Sequence, residues 1–70
     1  MNDEYANPII VKIESQRVIG YQFPRGGGHI TELENVGVDA VGNRWRWRNE
    51  IHTDNRGMGW IGSGYSYTKL

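Results

Sequence analysis

The chain has no cysteine, which removes two of the ways a 70-residue protein can be held together. No disulfide can form and no thiolate can bind a metal, and His29 and His52 cannot make a structural zinc site by themselves. Charge of one sign is also lacking: eight Lys and Arg offset eight Asp and Glu, so no global field draws the chain to nucleic acid or to an anionic membrane. No apolar run approaches the ~20 residues of a membrane span, and residues 1–8 carry acids where a signal peptide needs an apolar core. These absences lead to the expectation of a cytoplasmic protein without membrane contact.

Catalytic signatures are missing as well. Ser15, Ser63 and Ser66 have no nucleophile-elbow pattern around them, and Asp39, Glu50 and Asp54 fall in exposed or turn contexts. Residues 57–62 do match G-x-G-x-x-G, but that fingerprint works only between a strand and a helix, with an acid ~20 positions further on. Only eight residues follow here. The expectation is a non-enzyme that uses no cofactor and no metal. The glycines at 57, 59, 62 and 64 read instead as bends of a terminal strand, or as places where another backbone or a flat ligand comes close.

What is present is β signal. Three Trp, four Tyr and Phe23 can each bury about 150–250 Å², roughly 4–6 kcal/mol gross at ~25 cal/mol per Å². A chain of this size buries only roughly 60% of its unfolded surface, so a homo-oligomer is expected to supply the rest. Residues 1–7 read as a polar lead-in and residues 8–70 as a single domain. Ile9 to Ile13 and Arg17 to Phe23 alternate as two strands joined near Glu14-Ser15-Gln16. Pro24 to Gly28 is the clearest loop. His29 to Glu34 reads as a strand, although Ile30 and Leu33 also fit a helical spacing. A hairpin over residues 36–51 and a last strand over 58–68 complete the chain. The fold class is therefore all-β or mostly β, a small five- to six-stranded antiparallel barrel-like or strongly curved sheet.

The hairpin carries the most information. Gly42-Asn43 reads as a two-residue loop, which sets Val41 opposite Arg44, Asp39 opposite Arg46 and Val38 opposite Trp47. Alternation then puts Val36, Val38, Ala40, Trp45 and Trp47 on an inner face, with Asp39, Arg44, Arg46 and Arg48 on the other. The arginine row is the candidate site, an anion-binding strip, because arginine forks match phosphate and carboxylate. Asp39 is placed to pair with Arg46 and Glu50 lies on the same face, which leaves Arg44 and Arg48 without a local partner; the alternative is that Glu32 or Glu34 from a neighbouring strand completes the pairing as a solvated ladder.

Trp60, Tyr65 and Tyr67 can stack on bases or pack in a core. Tyr65 and Tyr67 share their parity with Ile61, which leaves Trp60, beside Gly62 and Gly64, as the ring expected to be exposed. Arg56 joins Arg44, Arg46, Arg48 and Trp60 as a partner-binding residue. Arg25 and His29, flanking three glycines, form a second loop where a cation, an imidazole and backbone N–H groups can converge on an anion, or else a plain hairpin tip.

Gly28-His29-Ile30-Thr31-Glu32-Leu33, preceded by Val18-Ile19-Gly20-Tyr21 and followed by a tryptophan segment ending near Glu50-Ile51, resembles a family of small bacterial and phage domains of unknown function. The resemblance covers residues 9–51, while residues 52–70 do not follow that family's aromatic ending. It implies a compact β-rich domain of bacterial or phage origin and transfers no activity and no site residue. Two functions are consistent with these residues. One is a binding module for an anionic partner, nucleic acid or nucleotide; the other is a regulator or inhibitor that holds a protein partner through an aromatic-arginine surface.

Overall fold

The computed structural model describes residues 8–70; the lead-in read over residues 1–7 lies outside them. Five antiparallel strands form one open, curved sheet: β1 (Ile10–Gln22), β2 (His29–Asp39), β3 (Arg44–Thr53), β4 (Gly59–Ile61) and β5 (Tyr65–Lys69). The order is β1-β2-β3, with β4 and β5 sharing the far edge of β3, so the sheet is a meander whose last ribbon is broken in two. No helix among the described residues is long and apolar enough to cross a membrane.

Loop length decides which side chains face inward, and here the structure corrects the expected hairpin. The β2–β3 loop holds three residues, not two. The Gly42 amide donates to the Asp39 carbonyl at 3.1 Å, and the Asp39 amide donates to the Asn43 carbonyl at 2.9 Å. Gly42 takes φ 90°, the left-handed residue that completes a type I turn with a bulge. The Asp39 carboxylate secures this geometry. Its Oδ1 accepts from the amides of Val41 and Asn43, and its Oδ2 accepts from the Trp45 indole at 2.9 Å. Asp39 is therefore occupied by the turn and does not pair with Arg46.

The register moves by three residues, an odd number, so the β2 side chains change face relative to β3. Val38 stands opposite Arg44, Gly37 opposite Trp45, Val36 opposite Arg46, Asn35 opposite Trp47 and Glu34 opposite Arg48. Trp45 and Trp47 do turn inward as expected, but against Gly37 and Asn35. Val36 and Val38 lie on the arginine side.

Cross-strand partners share a face, which sorts the sheet into two sides. The core face carries Leu33, Trp45 and Trp47, the buried apolar side chains, with Asn35 and Asn49 between them. The Gln16 amide donates to Asn35 Oδ1 at 2.7 Å, and the Asn35 amide donates to Asn49 Oδ1 at 2.8 Å, a polar chain across three strands. No buried side-chain polar atom among the described residues is left without a partner. Trp47 lies between two glycines. A Cβ on Gly37 would sit 2.9 Å from the indole and 2.5 Å from the Lys12 carbonyl, and a Cβ on Gly64 would sit 2.9 Å from the other side of the indole. Tyr67 stacks on Trp47 at 5.5 Å.

Two other expectations change for the same kind of reason. β1 is one strand, not two, and it is longer than its partner run because three register shifts insert extra residues. These bulges bend the edge strand and break its alternation. On the last ribbon, the stretch between Ile61 and Tyr65 adds a residue to the register. Ile61 stands opposite Ile51 on the core face, whereas Tyr65 stands opposite Arg48 on the other. Tyr65 and Tyr67 do not share a face either, because a second register shift, between Arg46 and Arg48, falls at Ser66, which takes φ 55°.

The Trp45 indole hydrogen bond, with the amides of Asn43 and Val41, holds the Asp39 carboxyl below its ordinary value of 3.8 against partial desolvation. A depressed folded-state pKa gives stability that is present above the ordinary value and lost as pH falls through the folded one. Melting temperature followed by circular dichroism should accordingly drop below about pH 4. Asp39→Asn should melt lower at pH 7 and show a shallower acid slope; parallel slopes would exclude this role for Asp39.

Candidate functional site

On the charged face the residues fall into rows that run across the strands. Lys12, Val38 and Arg44 form the first, and Ser15, Val36, Arg46 and Thr68 the second. Arg17, Glu34, Arg48 and Tyr65 form the third; Gly20, Glu32 and Glu50 the fourth; Gln22, Ile30, His52 and Trp60 the fifth. The three strip arginines thus share one face in consecutive rows, and Trp60 stands on the same face at the opposite end.

Most of the strip is already neutralised. Arg44 Nε donates to Glu14 at 2.9 Å. Glu34 accepts from Arg17 at 2.8 Å and lies 3.9 Å from Arg48. The Arg17 hydrogen bond, opposed by partial desolvation and aided by the charges of Arg17, Arg46 and Arg48, holds the Glu34 carboxyl below the usual range. Glu34 therefore takes up part of the row's charge, as one of the two sequence readings had it, but its closest partner is Arg17. Glu14 is the partner that the sequence did not offer, because a bulge in β1 turns it toward Arg44. Arg46 has no carboxylate within 4 Å among the described residues.

Between the arginines and Trp60 stand two acids. Glu32 and Glu50 are direct cross-strand partners, and each has a local donor: Gln22 for Glu32 at 2.6 Å and His52 for Glu50 at 3.0 Å. From Arg48 to His52 is four residues of strand, about 13 Å at ~3.3 Å per residue. A phosphate chain running from Trp60 to the strip would have to pass over both carboxylates. The expected single site made of Arg44, Arg46, Arg48, Arg56 and Trp60 is therefore not one surface.

The structure instead joins residues that the sequence kept apart. The β1–β2 and β3–β4 loops lie side by side, with Asn55 against Gly27 and the backbone of Thr53 and Asp54 against Gly28. Arg25 and Arg56 ride on these neighbouring loops, and neither has a carboxylate within 4 Å among the described residues. The β3–β4 loop repeats the hairpin device seen at Asp39: Asp54 Oδ1 accepts from the amides of Arg56 and Met58, and Gly57 takes φ 84°. Between the loops and the strand ends opens a cleft of about 280 Å³ whose lining includes Pro24, His29, His52, Asp54, Met58 and Trp60.

Trp60 is 60% exposed yet not free to turn, because its ring lies flat on the His52 imidazole at 4.1 Å and 6°. Glu50 in turn fixes His52 through Nε2. Sequence reasoning found Trp60, Arg56, Arg25 and His29 but missed His52, whose signal was its place opposite Trp60 once β4 folds back on β3. Among the described residues no group of three His, Asp or Glu is close enough to hold a metal ion. Comparison with known proteins returns nothing to set beside this site: no family model, no curated protein and no solved structure matches the chain.

A stacked pair of this kind contributes about 0.5–1.5 kcal/mol beyond burial. His52→Ala should therefore leave the sheet folded while releasing the Trp60 ring. With 5-fluorotryptophan labelling, only one of the three fluorine resonances should move and narrow; movement of all three would place His52 in the fold and not in the site.

Proposed function

We propose that the protein is a small non-enzymatic binding module for an anion that carries a planar ring, a nucleotide or a segment of single-stranded nucleic acid, and that this ligand sits at the loop end of the sheet. The observation that carries the reading is the flat His52–Trp60 stack, which presents an exposed, pre-oriented indole at the mouth of a cleft. An indole held in place stacks on a base at less entropic cost than a mobile one. Arg25 and Arg56 on the two bordering loops can supply the phosphate contacts, since no carboxylate of the described residues holds them. Asp54 and Glu50, the nearest acids, are occupied by the turn amides and by His52. The arginine strip takes a lesser part: only Arg46 is unpaired, and the rows hold Glu14, Glu32, Glu34 and Glu50 among their cations.

A second reading, a regulator that binds a protein partner, draws on a separate observation. Met58 and Trp60 in the cleft, and Phe23 tilted against His29 at its side, are 69%, 60% and 76% exposed, and aromatic side chains with arginine are the composition of binding hot spots.

Fluorescence anisotropy with a labelled eight-nucleotide DNA strand separates the two. The first reading expects Trp60→Ala to weaken binding by ~5–150-fold, from a stacking contribution of ~1–3 kcal/mol. Arg25→Ala with Arg56→Ala should lower the salt slope by ~1.4, and Arg44→Ala with Arg48→Ala should change little. Loss of binding in the Arg44 and Arg48 double variant, with Trp60→Ala neutral, would return the site to the strip. No binding to the strand, together with nuclease-resistant recovery of one protein from a lysate, would favour the regulator.

A further inference from the structure

We infer that the core face of the sheet is an interface for a second copy of this chain, packed face to face. The inference is independent of the loop-end cleft.

A sheet with an apolar face is stable only when another layer covers that face. Here every strand of the described residues lies in the one sheet, so those residues leave nothing to form the second layer. The result shows in the exposure. Leu33, Trp45 and Trp47 are buried, but around them on the same face Ile13 is 54%, Val18 47%, Tyr21 59% and Ile61 70% exposed. Their placement follows from the register: Ile13 opposite Gly37, Val18 opposite Leu33, Tyr21 opposite Thr31 and Ile61 opposite Ile51. An apolar rim around a partly filled centre is an unfinished core.

Three features select a second copy as the occupant. First, a two-fold contact sets each surface against its own image, so like charges near the axis would meet. The core face avoids this: its one carboxylate, Asp39, is tied up by the turn and by Trp45, and its one cation, Lys69, lies on the edge strand β5. The opposite face, with Lys12, four arginines and four glutamates, could not be apposed so simply. Secondly, the long dimensions of the molecule, 41 and 23 Å, bound the face at about 900 Å², which leaves room for the ~800 Å² per partner of a standard interface. Thirdly, cover for an unfinished core is needed whenever the chain is folded, and a copy of the chain is always present where the chain is made.

Light scattering on the intact protein over a range of concentrations tests this. Twice the 8.0 kDa chain mass is expected at micromolar concentration. Val18→Lys and Ile61→Lys should each weaken association at least tenfold, while Val41→Lys on the β2–β3 loop should not. Ile61 is at the margin of the face, so its variant stays informative if Val18→Lys fails to fold. A monomeric mass at all concentrations overturns the inference, whether or not the lysine variants melt lower. A dimer indifferent to both lysines overturns it too, since association would then use another surface.

Discussion

The Asp39 carboxylate is the constraint on which the rest of this structure depends. Both of its oxygens are used, one by the amides of Val41 and Asn43 and the other by the Trp45 indole. The first pair closes a three-residue loop, and the indole bond ties the first residue of the turn to the first tryptophan of the next strand. Loop length sets register, and register sets which residues oppose Trp45 and Trp47. Had the loop held two residues, the indoles would face Val38 and Ala40, and Asn35 would point at solvent.

From that register the two faces acquire their different chemistry. On one, Trp47 fills the space left by Gly37 and Gly64, and the Gln16–Asn35–Asn49 chain satisfies the amides that the tryptophans cover. A buried amide chain accepts few alternatives, because a slipped strand would leave a donor or an acceptor without a partner. On the other face, arginines and glutamates alternate across the strands and neutralise one another. Binding chemistry is then left to the end of the sheet, where two loops meet and the His52–Trp60 stack stands beyond the acidic row.

Much of this was legible in the chain. Alternation marks where strand runs, though it divides β1 in two, and the glycine-rich Pro24 to Gly28 marks a loop. The arginine row and the inward tryptophans follow from spacing alone, whatever the register. Trp60 stood out as the exposed ring because its neighbours are glycines. The expected faces of Val36 and Val38 come out reversed because Gly42-Asn43 is a good two-residue loop by composition and apolar valines are better core residues than Asn35. Only the bonds of Asp39, to residues two, four and six positions further on, decide between the loops. The bulges in β1, the residue added between Ile61 and Tyr65 and the shift at Ser66 are not legible either, since a single inserted residue leaves composition unchanged while reversing alternation. That is why Glu14 as the partner of Arg44, and Tyr65 on the charged face, appear only in the folded chain. His52 was hidden for a different reason: its role comes from a partner on another strand.

The most direct test of the register is the proton NMR spectrum around Trp47. With the three-residue loop, the Trp47 ring should show nuclear Overhauser contacts to the α-protons of Gly37 and Gly64. Contacts from Trp47 to the methyl groups of Val38 instead, with none to Gly37, would restore the two-residue turn and contradict the account.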